Sequence, residues 1–430
     1  MAGLYIHIPF CKSRCIYCAF YSTTLSGLQD DYVDALCREM DTHPFFGGGC
    51  RSVYIGGGTP SQLSPTLLRR LLLYIYKVYR VADDAEVTIE CTPDDITPEY
   101  AKAIGRLPIN RVSLGAQTFN DERLRWLHRR HNAQQVAEAI RLLREVGIRN
   151  ISIDLMFGFP GESLSDWQDD IRQAIALDVE HISAYSLMVE EGTVLYDLLS
   201  RKEERGERKE ERGKRKEEAG KRKEERGERR EKRGERRENS SSGDDDSYFT
   251  PTDEDDEHSR LMYETLIDRL TQAGYEHYEI SNFARRTTAD HPSPYRSRHN
   301  SSYWDATPYL GIGAAAHSYD GEHRWWNKSD LKQYIADIQS GKSPIEETET
   351  LDLETKYNDL ITTALRTADG IQLERMLSAF GKAYADYLMA NAAPHIQRGM
   401  LAITDGRLHL TRRGLFVSDD IMSDLIHIET

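Results

Sequence analysis

Tyr5-Ile6-His7-Ile8-Pro9-Phe10-Cys11-Lys12-Ser13-Arg14-Cys15-Ile16-Tyr17-Cys18 is the stretch from which the rest of the chain can be read. Its first residues, with Leu4, form a short apolar run that predicts a strand over Leu4–Ile8. Pro9 then ends the run, and three cysteines follow with C-x3-C-x2-C spacing. The whole chain holds only six Cys in 430 residues, so three of them inside eight residues of one loop point to a shared object. Structural zinc asks for a fourth protein ligand, and no candidate stands nearby. A cubane iron–sulfur cluster normally takes four thiolates, so three would leave one iron open to a small-molecule ligand. Cys37, Cys50 and Cys91 are scattered and read as small buried hydrophobes.

Beyond this loop, short β-branched or apolar runs alternate with longer amphipathic ones. The runs predict strands over Ser52–Ile55, Val87–Glu90, Arg111–Leu114, Ile151–Met156 and His181–Tyr185. Helices are predicted over Tyr32–Met40, Pro65–Tyr79, Ala133–Val146 and Leu164–Leu177. Each connection is long enough for a crossover helix, which makes the sheet parallel. Six successive βα units give a barrel or partial barrel, and periodicity alone does not separate this from a doubly wound open sheet. Chemistry-bearing residues recur at the strand ends. Gly56-Gly57-Gly58-Thr59-Pro60-Ser61 follows the second strand, Glu90 closes the third, Gln117 follows the fourth and Asp154 lies in the fifth. The glycine turn lets backbone approach a ligand closely, and it lacks the lysine of a phosphate loop. In a βα barrel all these positions gather on the face formed by the C-terminal strand ends, where active sites collect.

Composition excludes several classes and isolates one segment. Net charge is −15, from 56 Lys+Arg against 71 Asp+Glu, which argues against a dedicated nucleic-acid binder. No run approaches the ~18 apolar residues of a membrane span. The start has neither a basic n-region nor a long apolar h-region, so the expected compartment is the cytoplasm. Charged residues reach 30%, above the usual ~25%. The excess lies in Arg201–Glu238, which contains 19 Lys/Arg, 13 Glu, five Gly and one Ala. Its glycines recur every seven residues, but Ala219 is its only other apolar residue, so no coiled-coil seam exists. Residues 201–250 read as a low-complexity charged insertion. The −15 is a body at −21 plus this repeat at +6. Further on, Asp256–Ala273 reads as a helix, and helical patterns dominate from Lys356. A hairpin turning at Asp405-Gly406 suggests a winged-helix-like tail.

The cysteine loop and the glycine-rich second strand end together resemble the radical S-adenosylmethionine (SAM) superfamily. Further stretches carry the resemblance to its oxygen-independent coproporphyrinogen III oxidase-like family, closest to the heme-chaperone branch: Gly115-Ala116-Gln117-Thr118-Phe119, Asp154 through Gly161, Tyr278 through Ala284, and the box His299-Asn300-Ser301-Ser302-Tyr303-Trp304, an HNxxYW pattern. The likeness spans nearly all of the chain outside 201–250. It implies an α/β fold, a partial (β/α)6 radical SAM barrel followed by a mixed region and a mainly helical C-terminal domain. The corresponding division is 1–200, the insertion 201–250, a barrel-completing region 251–350 with the HNxxYW box, and 351–430.

The resemblance also implies roles. Cys11, Cys15 and Cys18 would hold a 4Fe–4S cluster whose open iron takes the amino and carboxylate groups of SAM. Gly57, Gly58 and Thr59 would border the methionyl part, Tyr5 and Tyr17 would lie beside cluster and cofactor, and Glu90, Gln117, Arg129 and Asp154 would complete the pocket. The decarboxylating oxidase carries a further Cys two residues after its third cluster ligand, where this chain has Phe20. It also has a substantial arm before the cluster motif, whereas ten residues precede Cys11 here. Both departures lead to the chaperone branch, whose members bind heme as cargo and pass it to acceptor hemoproteins, respiratory ones in the family expectation, without decarboxylation. The branch also allows a homodimer. His299 would then be an axial ligand, since neutral imidazole binds heme iron, with Asn300, Tyr303 and Trp304 beside the porphyrin.

Overall fold

A computed structural model describes residues 2–43, 49–200, 253–288 and 291–428. The charged insertion 201–250 lies outside the described residues. All six strands of the βα units are present, each longer than its apolar run and β3 much longer: β1 Ala2–Ile8, β2 Cys50–Gly57, β3 Val81–Cys91, β4 Arg111–Gln117, β5 Asn150–Phe157 and β6 His181–Ser186. They pair in parallel in the order of the chain. Between them run α1 Gln29–Thr42, α2 Pro65–Val78, α3 Pro98–Ile104, α4 Asp121–Trp126, α5 Ala133–Glu145 and α6 Leu164–Ala176. Their starts follow from local chemistry. Ser64 caps α2 ahead of Pro65, and Asn132 and Ser163 form reciprocal capping boxes with Gln135 and Asp166.

The sheet does not stop at six strands. After α7 (Asp253–Gln272), the antiparallel pair β7 (Tyr275–Glu279) and β8 (Asn282–Arg285) extends it beside β6. After α8 (Arg298–Trp304), β9 (Tyr309–Ile312) pairs in parallel with β1 at the other edge. Antiparallel β10 (His317–Tyr319), β11 (His323–Asn327) and β12 (Ile345–Thr350) continue outward from there, with α9 (Leu331–Gln339) inserted before β12. The result is one twelve-stranded sheet whose central six parallel strands carry the helices.

Period-two alternation decides which side each strand residue faces. Leu4, Ile6 and Ile8 are fully buried against the helices with Tyr32, Leu36, Leu68, Leu71 and Trp167 in the same core. Gly3, Tyr5 and His7 take the inner face, where a Cβ on Gly3 would stand 3.2 Å from the His299 ring.

A second core, built from Tyr357, Ile361, Leu388, Leu408, Ile421 and Leu425, belongs to the C-terminal region. Here α10 (Leu353–Ala364), β13 (Ile371–Gln372), α11 (Leu373–Gln397), β14 (Leu401–Thr404) and β15 (Arg407–Leu410) precede the short α12 (Arg412–Leu415) and α13 (Ser418–Leu425). Gly381, at φ 79°, breaks α11 into two helices, and the three strands lie in the order β13-β15-β14. This is the helix, strand, two helices and hairpin succession of a winged helix. Asp405 and Gly406 both take positive φ, as a two-residue hairpin turn of this hand requires.

The described residues of 1–15, 20–186 and 259–430 form one compact unit, and those of 16–19 and 187–258 form another. Within the second, the Leu195 amide donates to the Ile16 carbonyl at 2.8 Å. No helix among the described residues is long and apolar enough to cross a membrane.

Candidate functional site

The cysteine loop leaves β1 at Pro9 and is closed at its base. The Thr23 amide donates to the Pro9 carbonyl at 2.7 Å, and the Cys11 amide donates back to Thr23 at 2.9 Å. None of Cys11, Cys15 and Cys18 is in a disulfide, and each is half-buried. Burial pushes the Cys11 thiol up, partly offset by Thr59, whose hydroxyl lies 3.4 Å from its sulfur. The Arg129 guanidinium reaches Cys15 Sγ at 3.5 Å and the Gly115 carbonyl at 2.6 Å. Tyr17 and Cys18 belong to the second compact unit. Among the described residues no three Cys, His, Asp or Glu side chains stand close enough together to hold an ion.

The glycine turn fits against this loop. The Gly58 amide donates to the Ile8 carbonyl at 2.8 Å, and a Cβ at Gly58 would stand 2.8 Å from the Pro9 backbone and 3.0 Å from Cys11 Sγ. Gly57 has φ +114°, and a Cβ there would meet the His7 ring at 2.6 Å. No side chain fits at either position, which is the physical reason the turn is glycine. The chemistry around Cys11 and Cys15 suits a thiolate-held group: a cation on one sulfur, a hydroxyl on the other, and a backbone wall without side chains.

Glu90 stands beside this wall at the end of β3. It accepts from the Gly57 amide at 3.0 Å and from the Tyr54 hydroxyl at 2.7 Å. Burial pushes its pKa up to about 7, with Tyr54 and Gly57 pulling the other way and Asp154 adding to the rise. Asp154, held by the Ser113 hydroxyl at 3.2 Å, is pushed up to about 6, again chiefly by burial. Gln117 takes φ 68°, a left-handed conformation that is costly for a side-chain-bearing residue, at the bulge where β4 leaves its register with β5. A Cβ at Gly115 would crowd both the Gln117 amide and the Arg129 guanidinium at 2.9 Å. The structure therefore brings Cys11, Cys15, Gly57, Gly58, Thr59, Glu90, Gln117, Arg129 and Asp154 to the C-terminal strand ends.

Tyr5 sits deeper on the inner face, its hydroxyl 3.0 Å from His7 Nδ1 and its ring 6.2 Å from that of Tyr54. The HNxxYW box lies on the same face, where the His299 ring adjoins Gly3. His299 is 1% exposed. Its Nδ1 pairs with the Ser52 hydroxyl at 3.0 Å, its Nε2 with the Tyr303 hydroxyl at 2.9 Å, and its ring stacks on Tyr54 at 5.0 Å. Burial pushes its pKa down to about 3, so the ring is neutral. Asn300, Tyr303 and Trp304 are partly exposed; Arg366 stacks over Trp304 at 5.5 Å.

One residue that the spacing does not reveal ties the site together. Asp95 accepts from Ser61 at 2.7 Å, Thr92 at 2.8 Å, Arg130 at 3.1 Å and Lys12 at 3.3 Å, and also from Gln62. These donors come from the loop after β2, the end of β3, the segment beside Arg129 and the cysteine loop. Burial opposes its charge, yet Ser61, Thr92 and Arg130 hold it below the ordinary carboxylate range. Asp95→Asn is expected to lower unfolding free energy by about 1–3 kcal/mol in denaturant titration, since the buried carboxylate that accepts these hydrogen bonds is lost. It should also speed iron loss to a chelator, because Lys12 and Arg130 are released.

Residues 5–174 match the Radical SAM superfamily, and residues 351–417 match the HemN C-terminal domain. The chain is 30% identical to the heme chaperone HemW of Bacillus subtilis over 425 residues, 98% of both chains. It belongs to the HemW family. The HemW of Escherichia coli is 32% identical over 319 residues, covering 73% of this chain and 69% of that one. A Danio rerio relative, mitochondrial radical S-adenosyl methionine domain-containing protein 1, is 28% identical over 99% of this chain and 87% of its own. Among solved structures, the coproporphyrinogen III oxidase HemN of Escherichia coli superposes with a TM-score of 0.74 at 21% identity, over 99% of this chain and 89% of that one. HemN therefore shares the fold, while the HemW relatives carry the family assignment.

Proposed function

We propose that this protein binds heme and delivers it to acceptor hemoproteins, and that it carries a 4Fe–4S cluster with SAM on the open iron. The observation that carries this reading is the near end-to-end match to a heme chaperone, together with the thiol loop and SAM-type pocket. Cys11, Cys15 and Cys18 would hold the cluster, which when bound supplies a low-potential electron and a coordination site for SAM. Gly57 and Gly58 would offer backbone to the methionyl group, with Thr59 at its edge. Glu90 would accept the SAM ammonium, Asp154 and Gln117 would close the far side, and Arg129 would hold charge beside Cys15. Tyr5 would seal the inner floor with Tyr54, and Tyr17 would flank the loop. His299 would be the axial ligand of heme iron, with Asn300 beside the porphyrin and Tyr303 and Trp304 supplying flat apolar surface.

Within this reading the acceptors are respiratory hemoproteins, the compartment is the cytoplasm, and two copies associate. Residues 1–200 serve as the SAM barrel, 251–350 complete it, and 351–430 form the C-terminal domain, consistent with the separate core of Tyr357 and Leu388. Phe20 is 71% exposed at the position where the decarboxylating oxidase has its additional Cys. Its phenyl ring offers no thiol, which favours cargo binding over porphyrinogen oxidation. Hemin titration followed by transfer to an apo-hemoprotein tests the reading. Stable uptake and handover support it, and a protein that takes up no hemin contradicts it.

A further inference from the structure

Helix α8 carries two neighbouring stripes. His299 and Tyr303, four residues apart, pair through their side chains at 2.9 Å, and His299 also meets Ser52 and the Tyr54 ring. Asn300 and Trp304, likewise four apart, form the adjoining stripe. The residue that meets this second stripe comes from the turn after α10. It is Arg366, whose guanidinium lies over the Trp304 ring at 5.5 Å. The Trp304 indole Nε1 is buried and has no hydrogen-bond partner among the described residues. Buried donors are seldom left so.

Arg366 is held firmly but not used up. Its carbonyl accepts from the Ile280 amide at 3.0 Å, the Ala368 amide donates to the Tyr278 carbonyl at 3.0 Å, and Thr367 bridges to Glu279. Its Nε faces the Glu279 carboxylate at 3.6 Å, an ion pair too long for a hydrogen bond. Glu279 is already occupied by the Ser281 amide at 3.0 Å and the Asn282 side chain at 2.6 Å. The two Nη groups of Arg366 make no hydrogen bond or ion pair among the described residues, and its side chain is about one-third exposed. Other arginines nearby are committed: Arg296 to Glu276 and Asp369, Arg298 to Asp84, and Arg324 to Asp359.

We infer that Arg366, with the Trp304 indole N–H beside it, takes a propionate carboxylate of the cargo porphyrin. The inference rests on heme being the cargo and on His299 as its axial ligand. The Nη pair of a guanidinium is a planar fork that matches a carboxylate, and Glu279 on Nε fixes the direction in which the fork points. A carboxylate there also gives the orphaned indole N–H an acceptor. Iron held from one stripe of α8 and a propionate held beside the other would fix both the centre and the rim of the porphyrin. The C-terminal region, which supplies Arg366, would thereby contribute directly to the cargo site.

Hemin and hemin dimethyl ester, which has no free carboxylate, separate this contact from axial ligation. Titrations of the full chain, followed at the Soret band, should show the ester binding at least about tenfold more weakly than hemin. Arg366→Gln should weaken hemin binding at least about tenfold and hold the two porphyrins with nearly equal affinity. Its Soret maximum should stay at the wild-type position, because His299 is untouched. Trp304→Phe keeps a ring under the guanidinium and removes only the N–H, so its preference for hemin should fall about threefold. That variant carries the test alone if Arg366→Gln loses the wild-type circular dichroism. A role of Arg366 confined to packing would weaken both porphyrins alike and leave the preference for hemin intact, which would overturn the assignment. Equal binding of hemin and its ester by the wild-type chain would overturn it too. A wild-type chain that binds neither porphyrin would instead overturn the heme reading beneath it.

Discussion

Replacing any one of Cys11, Cys15 and Cys18 by Ala is expected to abolish the visible absorption of the reconstituted protein and to take its iron from about four atoms per chain to near zero. The effect is all-or-none because two thiolates cannot hold a cubane that already lacks a fourth. The loop also has no other ligand to offer: Lys12, Ser13, Arg14, Ile16 and Tyr17 fill the spaces between the thiols. The remaining cysteines are the control. Cys37, Cys50 and Cys91 are buried, and burial pushes Cys37 up to about 11 and Cys50 up to about 12, so they are inert thiols in the helix–sheet core. Changing each of these to Ala should leave iron content intact. Absorption that survives all three loop substitutions would contradict the assignment of the loop.

The second large effect concerns Glu90. Its pKa of about 7, raised by burial, means that much of it is neutral at pH 6 and most is ionised at pH 8. Only the carboxylate can pair with the ammonium of SAM, so SAM affinity should climb as pH rises through 7, by up to about tenfold per unit on the acid side. The folded state without SAM runs the other way. Because folding raises the pKa above the model-peptide carboxyl range, the stability from this group is present below about 4.5 and is lost as pH rises through about 7. Glu90→Gln should weaken SAM binding at pH 8 by about 1.5–3 kcal/mol, the worth of a hydrogen bond to a charged group. It should also flatten the profile near 7, leaving the gentler titration of Asp154 near 6. Isothermal titration across pH 5.5–8.5 reads both. A profile with the same inflection in Glu90→Gln would show that Glu90 does not meet the ammonium.

Which parts of this architecture the sequence discloses depends on how local their causes are. Strands β1–β6 stand out because each is a short run of β-branched or apolar residues buried on both faces, and the apolar stripes of α1, α2, α5 and α6 have enough turns to show a period. The seven-residue α3 and six-residue α4 are too short for one. β3 begins at Val81, well before its apolar run, because Asp83 and Asp84 are exposed and hide the alternation. The thiol loop and the glycine turn are legible because close spacing is itself the signal. Asp95 is not, since its five donors come from separate loops and meet only through the sheet order. His299 is legible in part: its neighbours in the chain reveal an aromatic setting but not that Ser52, 247 residues away, pairs with its Nδ1.

The measurement closest to the centre of the account is one anaerobic experiment with two arms. The reconstituted protein is given SAM, a low-potential reductant and coproporphyrinogen III in one arm, and hemin followed by an apo-hemoprotein in the other. The account predicts no protoporphyrinogen in the first arm, with stoichiometric hemin uptake and transfer in the second. Protoporphyrinogen formed over repeated turnovers, with no hemin retained, would contradict it.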